Sequence, residues 1–287
     1  MRIRNVIVIL IIFAVYVLMV LINKPVEQFY SGCSVPKIIW CYWDSDKLPP
    51  IVKKITDCWK KKLLTWDIRI ITPTNIDKYL QKEQIDNKPT HLGSAHFADW
   101  LRLYLLRDHG GVWIDSSTII DSEQGLDKYY TDFCQSGKEL FGFHMPWMQT
   151  NKAYPVLENY FLMSRPQSPF VIDWCKEFQK AVDMGFGKYH ATIRAEGIVD
   201  PQYIGEYHTQ HLCAQSIIRR RGNPHDYILM YNSLDHVLYH QNKERPGYDR
   251  ANLQKEISDA SFRKEHPVIK LTGPDRGMLN ESEFQTC

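Results

Sequence analysis

Residues 95–117 constrain the fold of this 287-residue chain more than any other segment. The first part, AHFADWLRLYLLRDH, predicts a helix. Asp99 and Arg102 share one face of it, because residues three apart are neighbours on a helix surface. Gly110 and Gly111 follow directly. Glycine accepts the left-handed backbone conformation that a helix C-terminus needs, so this pair is expected to end the helix.

The short apolar run after the two glycines, VWI at 112–114, predicts a buried strand that leads into Asp115, Ser116 and Ser117. Open α/β sheets bind ligands outside the carboxyl ends of their strands. The strand therefore delivers a carboxylate and two hydroxyls to a ligand site. A carboxylate beside an acidic–basic pair suits a divalent metal that holds a phosphorylated substrate.

Strand and helix patterns alternate along the first half of the chain. Strands are predicted at 35–43 and 66–71, and helices at 51–64 and 75–81, before the helix that carries Asp99. This alternation is typical of an α/β fold with a mainly parallel sheet flanked by helices. The second half is predicted to hold a strand at 140–144 and helices at 156–163, 170–184 and 209–220.

An unbroken apolar run at 6–22 follows Arg2 and Arg4. At about 1.5 Å per residue it nearly spans a hydrocarbon core of about 27–30 Å, which predicts one N-terminal transmembrane helix, an uncleaved signal anchor. The alternative is a cleaved signal peptide, but its apolar region is usually shorter, and no small-residue cleavage pattern follows here. The predicted organisation is a cytosolic tip and anchor at 1–23, a short stem at 24–34 and one domain at 35–287.

Charge, cysteines and motifs exclude several functions. The formal net charge of +2 gives no reason to propose nucleic acid as a partner. The seven cysteines form no C-x-x-C pair, which argues against a zinc knuckle or a thioredoxin-like redox site. The sequence also has no Walker-type phosphate loop, no H-E-x-x-H and no G-x-S-x-G.

The order of helix, glycine pair and strand resembles the core of the capsular polysaccharide synthesis proteins and of glycosyltransferase family 32. In those families an (S/A)D-x-x-R helix runs into GG-x-(W/Y)-x-D. The matching residues here are Asp99, Arg102, Gly110, Gly111, Trp113 and Asp115. VPKIIWCYW at 35–43 and IKLT at 269–272 agree as well.

The resemblance implies a GT-A-like fold, with residues 35–287 as the glycosyltransferase domain. It implies a nucleotide-sugar donor, a glycan or polysaccharide acceptor and transfer of a hexosyl or N-acetylhexosaminyl group with retention of configuration. No second carboxylate stands out as a nucleophile, so we expect front-face attack with the leaving phosphate as base.

Asp99 and Arg102 are expected, from the resemblance, to contact the donor sugar or its phosphates. Gly110, Gly111 and Ser116 are expected at the donor site with them. The alternative for the acidic–basic pair is an intrahelical ion pair on the surface, which contributes only about 0.3–0.5 kcal/mol.

Asp115 is the strongest candidate for a metal ligand, with Mn²⁺ or Mg²⁺ as the expected cofactor. Ser117 stands where the second aspartate of the common D-x-D motif is often found, so the motif is only DXD-like and offers one carboxylate. His240 or His266 is a candidate to complete the shell. The alternatives are an aspartate that caps a turn and ordinary surface histidines.

Trp43 ends the first predicted strand, where related enzymes place an aromatic ring against the nucleobase. Trp40 lies three positions earlier, so the two indoles point to opposite faces of the strand and Trp40 is the expected core residue. Lys270 is a candidate to neutralise a donor phosphate as a point charge. The alternatives are core packing for Trp43 and a surface loop for Lys270.

The sequence therefore predicts a membrane-anchored, metal-assisted glycosyltransferase. A catalytically silent scaffold or carbohydrate-binding protein is the alternative, motivated by Ser117, and a metal-dependent phosphoesterase is a further one. Arg2 and Arg4 bias the N-terminus toward the cytosol, although Lys24 weakens the asymmetry. This predicts a type II protein of a Golgi-like lumen for a eukaryotic source, and the cytoplasmic face of the inner membrane for a bacterial one.

Overall fold

The computed structural model describes residues 33–149, 151–197, 205–282 and 284. The predicted anchor at 6–22 lies outside these residues. Within the described ranges, every helix is too short or too polar to cross a membrane.

The central sheet has six strands in the order β2-β1-β3-β6-β5-β7. Only β6 is antiparallel to its neighbours β3 and β5; the other pairs are parallel. The predicted α/β fold with a mostly parallel sheet is confirmed. The strands of this sheet are β1 (Ile38–Tyr42), β2 (Asp67–Ile71), β3 (Gly111–Ile114), β5 (Leu140–His144), β6 (Leu157–Ser164) and β7 (Ile228–Asn232).

A second, two-stranded sheet pairs β4 (Thr118–Ile120) with β8 (Val268–Lys270) in antiparallel register. Thr118 lies opposite Lys270 in that register. This small sheet therefore ties the C-terminal part of the chain to the residues that directly follow β3.

Helices flank the central sheet on both faces. The described helices are α1 (Pro50–Lys62), α2 (Lys82–Asp86), α3 (Ser94–His109), α4 (Glu123–Ser136), α5 (Pro169–Met184), α6 (Phe186–Ala195), α7 (Thr209–Arg221), α8 (Leu253–Ser258), α9 (Ala260–Glu265) and α10 (Gly273–Met278). α3, α5 and α7 pack side by side, with α3 against β1 and β3 and α7 against β6. On the other face, Tyr129 of α4 packs against Phe141 and Phe143 of β5.

The glycine pair ends α3 as predicted, and both residues have positive φ, +65° at Gly110 and +93° at Gly111. The space around them excludes any side chain. A Cβ atom on Gly110 would lie 2.5 Å from Pro166 Cδ, and one on Gly111 would lie 2.7 Å from the Ile38 carbonyl oxygen. Trp40 donates an indole hydrogen bond to the Gly110 carbonyl oxygen at 2.8 Å. The pair is thus required by the tight turn from α3 into β3.

The helix predicted at 156–163 is wrong, because this segment is strand β6. Seven of its eight residues are buried, so the sequence lacks the alternation of a half-exposed strand. A strand covered on both faces reads as a continuous apolar run, which periodicity cannot distinguish from a buried helix. The helix predicted at 75–81 is only a 3₁₀ turn, Ile76–Lys78.

The six cysteines that the structure describes divide into two groups. Cys33, Cys58 and Cys134 are disulfide-bonded. Cys41, Cys175 and Cys213 are free and buried. Burial raises the pKa of the Cys175 thiol to about 12, so this group behaves as a small apolar side chain rather than as a reactive thiolate.

Candidate active site

A cavity of about 630 Å³ opens at the carboxyl ends of β1 and β3. Its volume lies within the range of about 300–1,000 Å³ that is typical of ligand pockets. Because β6 runs antiparallel to β3, its first residues lie at the edge where β3 ends. Glu158, Asn159 and Tyr160 of β6 therefore line the same cavity as Asp115.

Asp115 is held by cations and by the backbone. Its amide donates to the Tyr160 carbonyl oxygen at 2.9 Å, which fixes the residue at the end of β3. Its Oδ2 accepts a hydrogen bond from Lys270 Nζ at 2.7 Å, and its Oδ1 accepts one from Trp113 Nε1 at 3.0 Å. The side chain keeps 30% exposure toward the cavity.

Lys270 belongs to β8 and is 7% exposed, so the surface-loop alternative for this residue is wrong. Its Nζ also donates to Ser117 Oγ at 3.1 Å. Ser117 in turn donates to the Leu271 carbonyl oxygen at 2.9 Å. Asp115, Ser117 and Lys270 thus form one hydrogen-bonded cluster, which the β4–β8 pairing assembles.

Asp99 and Arg102 are buried, with side-chain exposures of 6% and 4%, so the surface-pair alternative is wrong. Arg102 Nη1 donates a hydrogen bond to Asp99 Oδ1. Asn159 Nδ2 donates to the same oxygen at 3.0 Å, and Gln210 Nε2 donates to the Asp99 carbonyl oxygen at 2.8 Å. His96 Nδ1 lies 3.3 Å from Asp99 Oδ2.

Arg102 links this network to the Asp115 cluster. Its Nη2 lies 3.5 Å from Asp115 Oδ1, and its guanidinium lies over the Trp113 ring, 4.9 Å from the centroid. Burial acts to raise the pKa of Asp115, but Lys270 and Arg102 outweigh it and hold the pKa below its usual value. Asp115 is therefore an anion at neutral pH, with two cations beside it.

The pKa of Glu158 is raised, in contrast to that of Asp115. It is 5% exposed and lines the cavity. Burial raises the pKa of this carboxyl from 4.5 to about 8; the positive charge of Lys270 opposes the rise, and Asp115 adds to it. At neutral pH Glu158 is therefore mostly protonated and can donate a hydrogen bond into the cavity.

Two partly exposed indoles, those of Trp43 and Trp147, line the cavity. Trp43 directly follows β1, is half-buried and lines the cavity. Trp40 is fully buried, which confirms its prediction as a core residue. Trp147, which lines the cavity as well, remains 46% exposed. The two accessible indoles, Trp43 and Trp147, give the cavity flat apolar surfaces.

Several predicted donor-site residues lie together and others do not. The structure brings Trp43, Asp99, Arg102, Asp115, Ser116, Ser117 and Lys270 into the cavity lining. Gly110 and Gly111 begin β3, whereas the cavity lies where β3 ends. The structure therefore does not bring the glycine pair to the predicted donor site.

The two histidines predicted as metal ligands are also elsewhere. His240 is buried, with its Nε2 3.3 Å from Asp275 Oδ2. His266 stacks on Tyr239, with ring centroids 4.0 Å apart. Neither is among the described residues that line the cavity.

The remaining oxygens do not fit a divalent metal well. Lys270 already donates to Asp115 Oδ2 and Ser117 Oγ, and Trp113 donates to Asp115 Oδ1. In the part of the chain that the structure describes, no three His, Cys, Asp or Glu side chains are grouped so that they can hold a metal ion. The Mn²⁺ or Mg²⁺ cofactor thus stays a prediction of the sequence, and these side chains do not favour it.

Sequence reasoning missed three polar groups of the cavity region, Glu158, Asn159 and Gln210. The first two were hidden because β6 was predicted as a helix, although a lone glutamate–asparagine pair in an apolar run was a signal. Gln210 lies in α7, where Arg102 Nη1 donates to its Oε1 at 2.5 Å. Only the fold brings α7 beside α3, so no local pattern marks this residue.

Comparison with known proteins agrees with the resemblance. The model of the capsular polysaccharide synthesis protein family matches residues 21–181, more than half of the chain. This range includes Trp43, Asp99, Arg102, Asp115 and Glu158 but not Lys270.

Two fungal proteins are similar in sequence. The O-glycosyltransferase braB of Annulohypoxylon truncatum is 25% identical over 179 residues, which are 53% of this chain and 40% of that protein. The probable glycosyltransferase FCK3 of Fusarium pseudograminearum (strain CS3096) is 22% identical over 198 residues, 64% of this chain and 47% of that protein. The matched part thus spans less than half the length of either relative.

One solved structure, a PaToxG glycosyltransferase, has a TM-score of 0.40 and 13% sequence identity. The match covers 87% of this chain and 85% of that one.

Proposed function

The chain belongs to the capsular polysaccharide synthesis protein family, and we propose that it is a glycosyltransferase that uses a nucleotide sugar. It transfers a hexosyl or N-acetylhexosaminyl group to a hydroxyl of a glycan or polysaccharide acceptor. The fold is then of the GT-A type, with the donor in the cavity at the ends of β1 and β3. The two fungal relatives, both named glycosyltransferases, support this proposal.

One observation carries the proposal, namely the arrangement of Asp99, Arg102 and Asp115 along one cavity wall. Transfer from a nucleoside diphosphate requires cations for the phosphates, fixed polar groups for the sugar and exclusion of water. Arg102 and Lys270 lie on either side of Asp115 and supply the positive charge. Asp99 is fixed by three neighbours and can hold sugar hydroxyls.

Trp43 is assigned to the nucleobase. Its half-buried indole lies at the cavity entrance, on the β1 side. Stacking of a base on an aromatic side chain contributes about 1–3 kcal/mol. Base, diphosphate and sugar then each have their own set of side chains along the cavity.

The reaction proceeds with retention by front-face attack. The acceptor oxygen bonds to the anomeric carbon on the face from which the diphosphate departs, and the acceptor proton moves to the leaving phosphate oxygen. Glu158 is a carboxyl group of the cavity beside Asp115, but its pKa of about 8 leaves only about a tenth of it ionised at pH 7. A protonated carboxyl is a poor nucleophile, which favours front-face attack over a covalent intermediate on Glu158.

The alternative functions predict different behaviour. A silent scaffold would bind nucleotide or glycan without turnover. A two-metal phosphoesterase needs clustered His and Asp ligands. Such a cluster is not found among the described side chains.

A donor screen tests the proposal. The purified full chain is incubated with UDP-glucose, UDP-galactose, UDP-N-acetylglucosamine and GDP-mannose, and release of the nucleoside diphosphate is measured. We expect turnover of at least one donor, and its loss in Asp115→Asn. Asp121→Asn is the matched control, because Asp121 follows β4 and pairs with Lys62 and Arg263 away from the cavity. Equal rates in both variants would remove the cavity from the mechanism.

A further inference from the structure

The ammonium group of Lys270 lies where a divalent cation would have to bind. It is 2.7 Å from Asp115 Oδ2 and 3.1 Å from Ser117 Oγ, one oxygen from each of the two positions that correspond to the D-x-D aspartates. The other oxygen, Asp115 Oδ1, accepts from Trp113 Nε1 at 3.0 Å. A metal ion bound to the same oxygens would lie within a few ångströms of the positively charged Lys270 ammonium group. Like charges repel strongly in a partly buried site, because the effective dielectric constant there is low.

This position of Lys270 is fixed by the fold. Its backbone pairs with Thr118 in the β4–β8 sheet, and its amide donates to the Val237 carbonyl oxygen at 2.8 Å. Its Nζ also lies over the Tyr160 ring, 5.3 Å from the centroid. A buried ammonium group is costly unless it is paired, so the contact with Asp115 stabilises this position.

Arg102, Lys270 and Arg276 are the cations that line the cavity where the diphosphate is proposed to bind. Arg102 lies 3.5 Å from Asp115 on the side away from Lys270. Arg276 of α10 lines the cavity as a third cation. An ammonium group has three N–H donors, and Lys270 uses two of them on Asp115 and Ser117 among the described residues. One donor therefore remains for a phosphate oxygen.

Ser117 fits this arrangement better than an aspartate would. Its hydroxyl accepts from Lys270 and donates to the Leu271 carbonyl oxygen at 2.9 Å. A carboxylate at this position could not donate to Leu271 and would place an acceptor-only group against a carbonyl oxygen. The serine at the second aspartate position of D-x-D therefore suits the contact with Lys270.

We propose that Lys270, together with Arg102, neutralises the leaving diphosphate in place of a divalent metal, so that this transferase needs no metal ion. This inference rests on the proposed glycosyltransferase function. In the step, the bond between the anomeric carbon and the phosphate oxygen breaks, and that oxygen keeps the electron pair. The acceptor oxygen bonds to the anomeric carbon and its proton passes to the phosphate. Lys270 and Arg102 act through hydrogen bonds and charge and take no part in the proton transfer.

The first test is nucleotide binding by the full chain. Affinity for UDP and for GDP is measured by isothermal titration calorimetry in EDTA, and again with Mn²⁺ or Mg²⁺ in place of EDTA. We expect at least one nucleotide to bind in EDTA, with an affinity within about twofold of that with metal. Binding that disappears in EDTA and returns with Mn²⁺ would overturn the inference.

Variants assign the effect to Lys270. Lys270→Met should weaken nucleotide binding in EDTA at least tenfold, and Lys270→Arg, which keeps a cation, should lose less. Lys37→Met is the matched control, since Lys37 pairs with Asp127 at 3.1 Å outside the cavity, and its nucleotide affinity should not change. Unchanged affinity in Lys270→Met would overturn the role of Lys270. Should that variant fail to fold, the wild-type comparison in EDTA still decides.

Donor turnover separates this inference from the proposed function. Turnover in EDTA supports both. Turnover that requires Mn²⁺ or Mg²⁺ leaves the glycosyltransferase standing and overturns metal independence. Absence of turnover and of nucleotide binding, with or without metal, overturns the proposed function itself.

Discussion

Asp115 and Asp275 both contact cations, but only Asp115 lines the cavity. Asp115 keeps 30% of its side chain exposed and makes its contacts with Lys270, Arg102 and Trp113. Asp275 is fully buried and accepts from Thr272 Oγ1 at 2.7 Å, Gln241 Nε2 at 2.6 Å and Arg250 Nη2 at 2.9 Å.

The comparison separates a binding role from a structural one. Both carboxylate oxygens of Asp275 accept hydrogen bonds within the fold, and the residue forms a capping box with Thr272 at the start of α10. Burial acts to raise the pKa of Asp275, but hydrogen bonds from His240 and Thr272 outweigh it and hold the pKa far below its usual value. The charged side chains of the Asp115 cluster instead line the cavity. The two aspartates therefore predict different outcomes of substitution, a loss of stability at Asp275 and a loss of ligand binding at Asp115.

Asp115→Asn should give the largest effect. It keeps the side-chain shape but removes the charge that orients Lys270 and Arg102. Loss of two charge-assisted hydrogen bonds, each about 1.5–3 kcal/mol, predicts a fall in kcat/KM of about 100- to 10,000-fold. Donor hydrolysis by the purified variant measures it. Activity within threefold of wild type would place Asp115 with Asp275 as a structural residue.

Asp275→Asn should lower stability and leave activity nearly unchanged. Loss of a charge-assisted hydrogen bond at this buried carboxylate costs about 1.5–3 kcal/mol of unfolding free energy, whereas kcat should change little because Asp275 does not line the cavity. Urea denaturation and donor kinetics on the same preparation give both quantities. A stable but inactive variant would contradict the structural assignment.

Asp99→Asn sharpens the comparison at the sugar end of the cavity. If Asp99 holds the donor sugar, kcat/KM should fall by about 10- to 100-fold, for a loss of about 1.5–3 kcal/mol. UDP or GDP affinity should stay the same, because these ligands lack the sugar. Lowered stability with normal kinetics would make Asp99 a purely structural partner of Arg102.

Glu158→Gln tests the electrostatics of the cavity through pH. The pKa of Glu158 is raised from 4.5 to about 8 in the folded chain. The stability that its protonated form contributes is therefore fully present below about pH 4.5, and it is lost as the pH rises through 8. Wild type should therefore lose roughly 2 kcal/mol of unfolding free energy more than Glu158→Gln between pH 6 and pH 8. Denaturation curves at the two pH values measure this, and parallel losses would show that Glu158 ionises normally.

Local patterns predicted the parts of the site that lie close together in sequence. The turn from α3 through Gly110 and Gly111 into β3 follows from propensity, glycine conformation and an apolar run. Asp115 follows from the rule that ligands bind where parallel strands end. These features need no knowledge of distant contacts.

The cluster around Asp115 could not be derived in the same way. Lys270 lies 155 residues away in sequence and meets Asp115 only through the β4–β8 pairing. Residues 118–120 and 268–270 are three-residue strands, too short to leave a period-two pattern. Glu158 was hidden because β6 is buried on both faces. The sequence therefore offered Lys270 as a candidate phosphate ligand, but not its contact with Asp115.

Hydrogen–deuterium exchange of the full chain, with and without saturating UDP or GDP, tests the central claim most directly. The account predicts that the nucleotide slows amide exchange in two segments far apart in sequence, residues 113–118 and 268–273, and leaves exchange around β7 unchanged. Nucleotide binding that protects other segments and neither of these two would contradict the placement of the donor at Asp115 and Lys270.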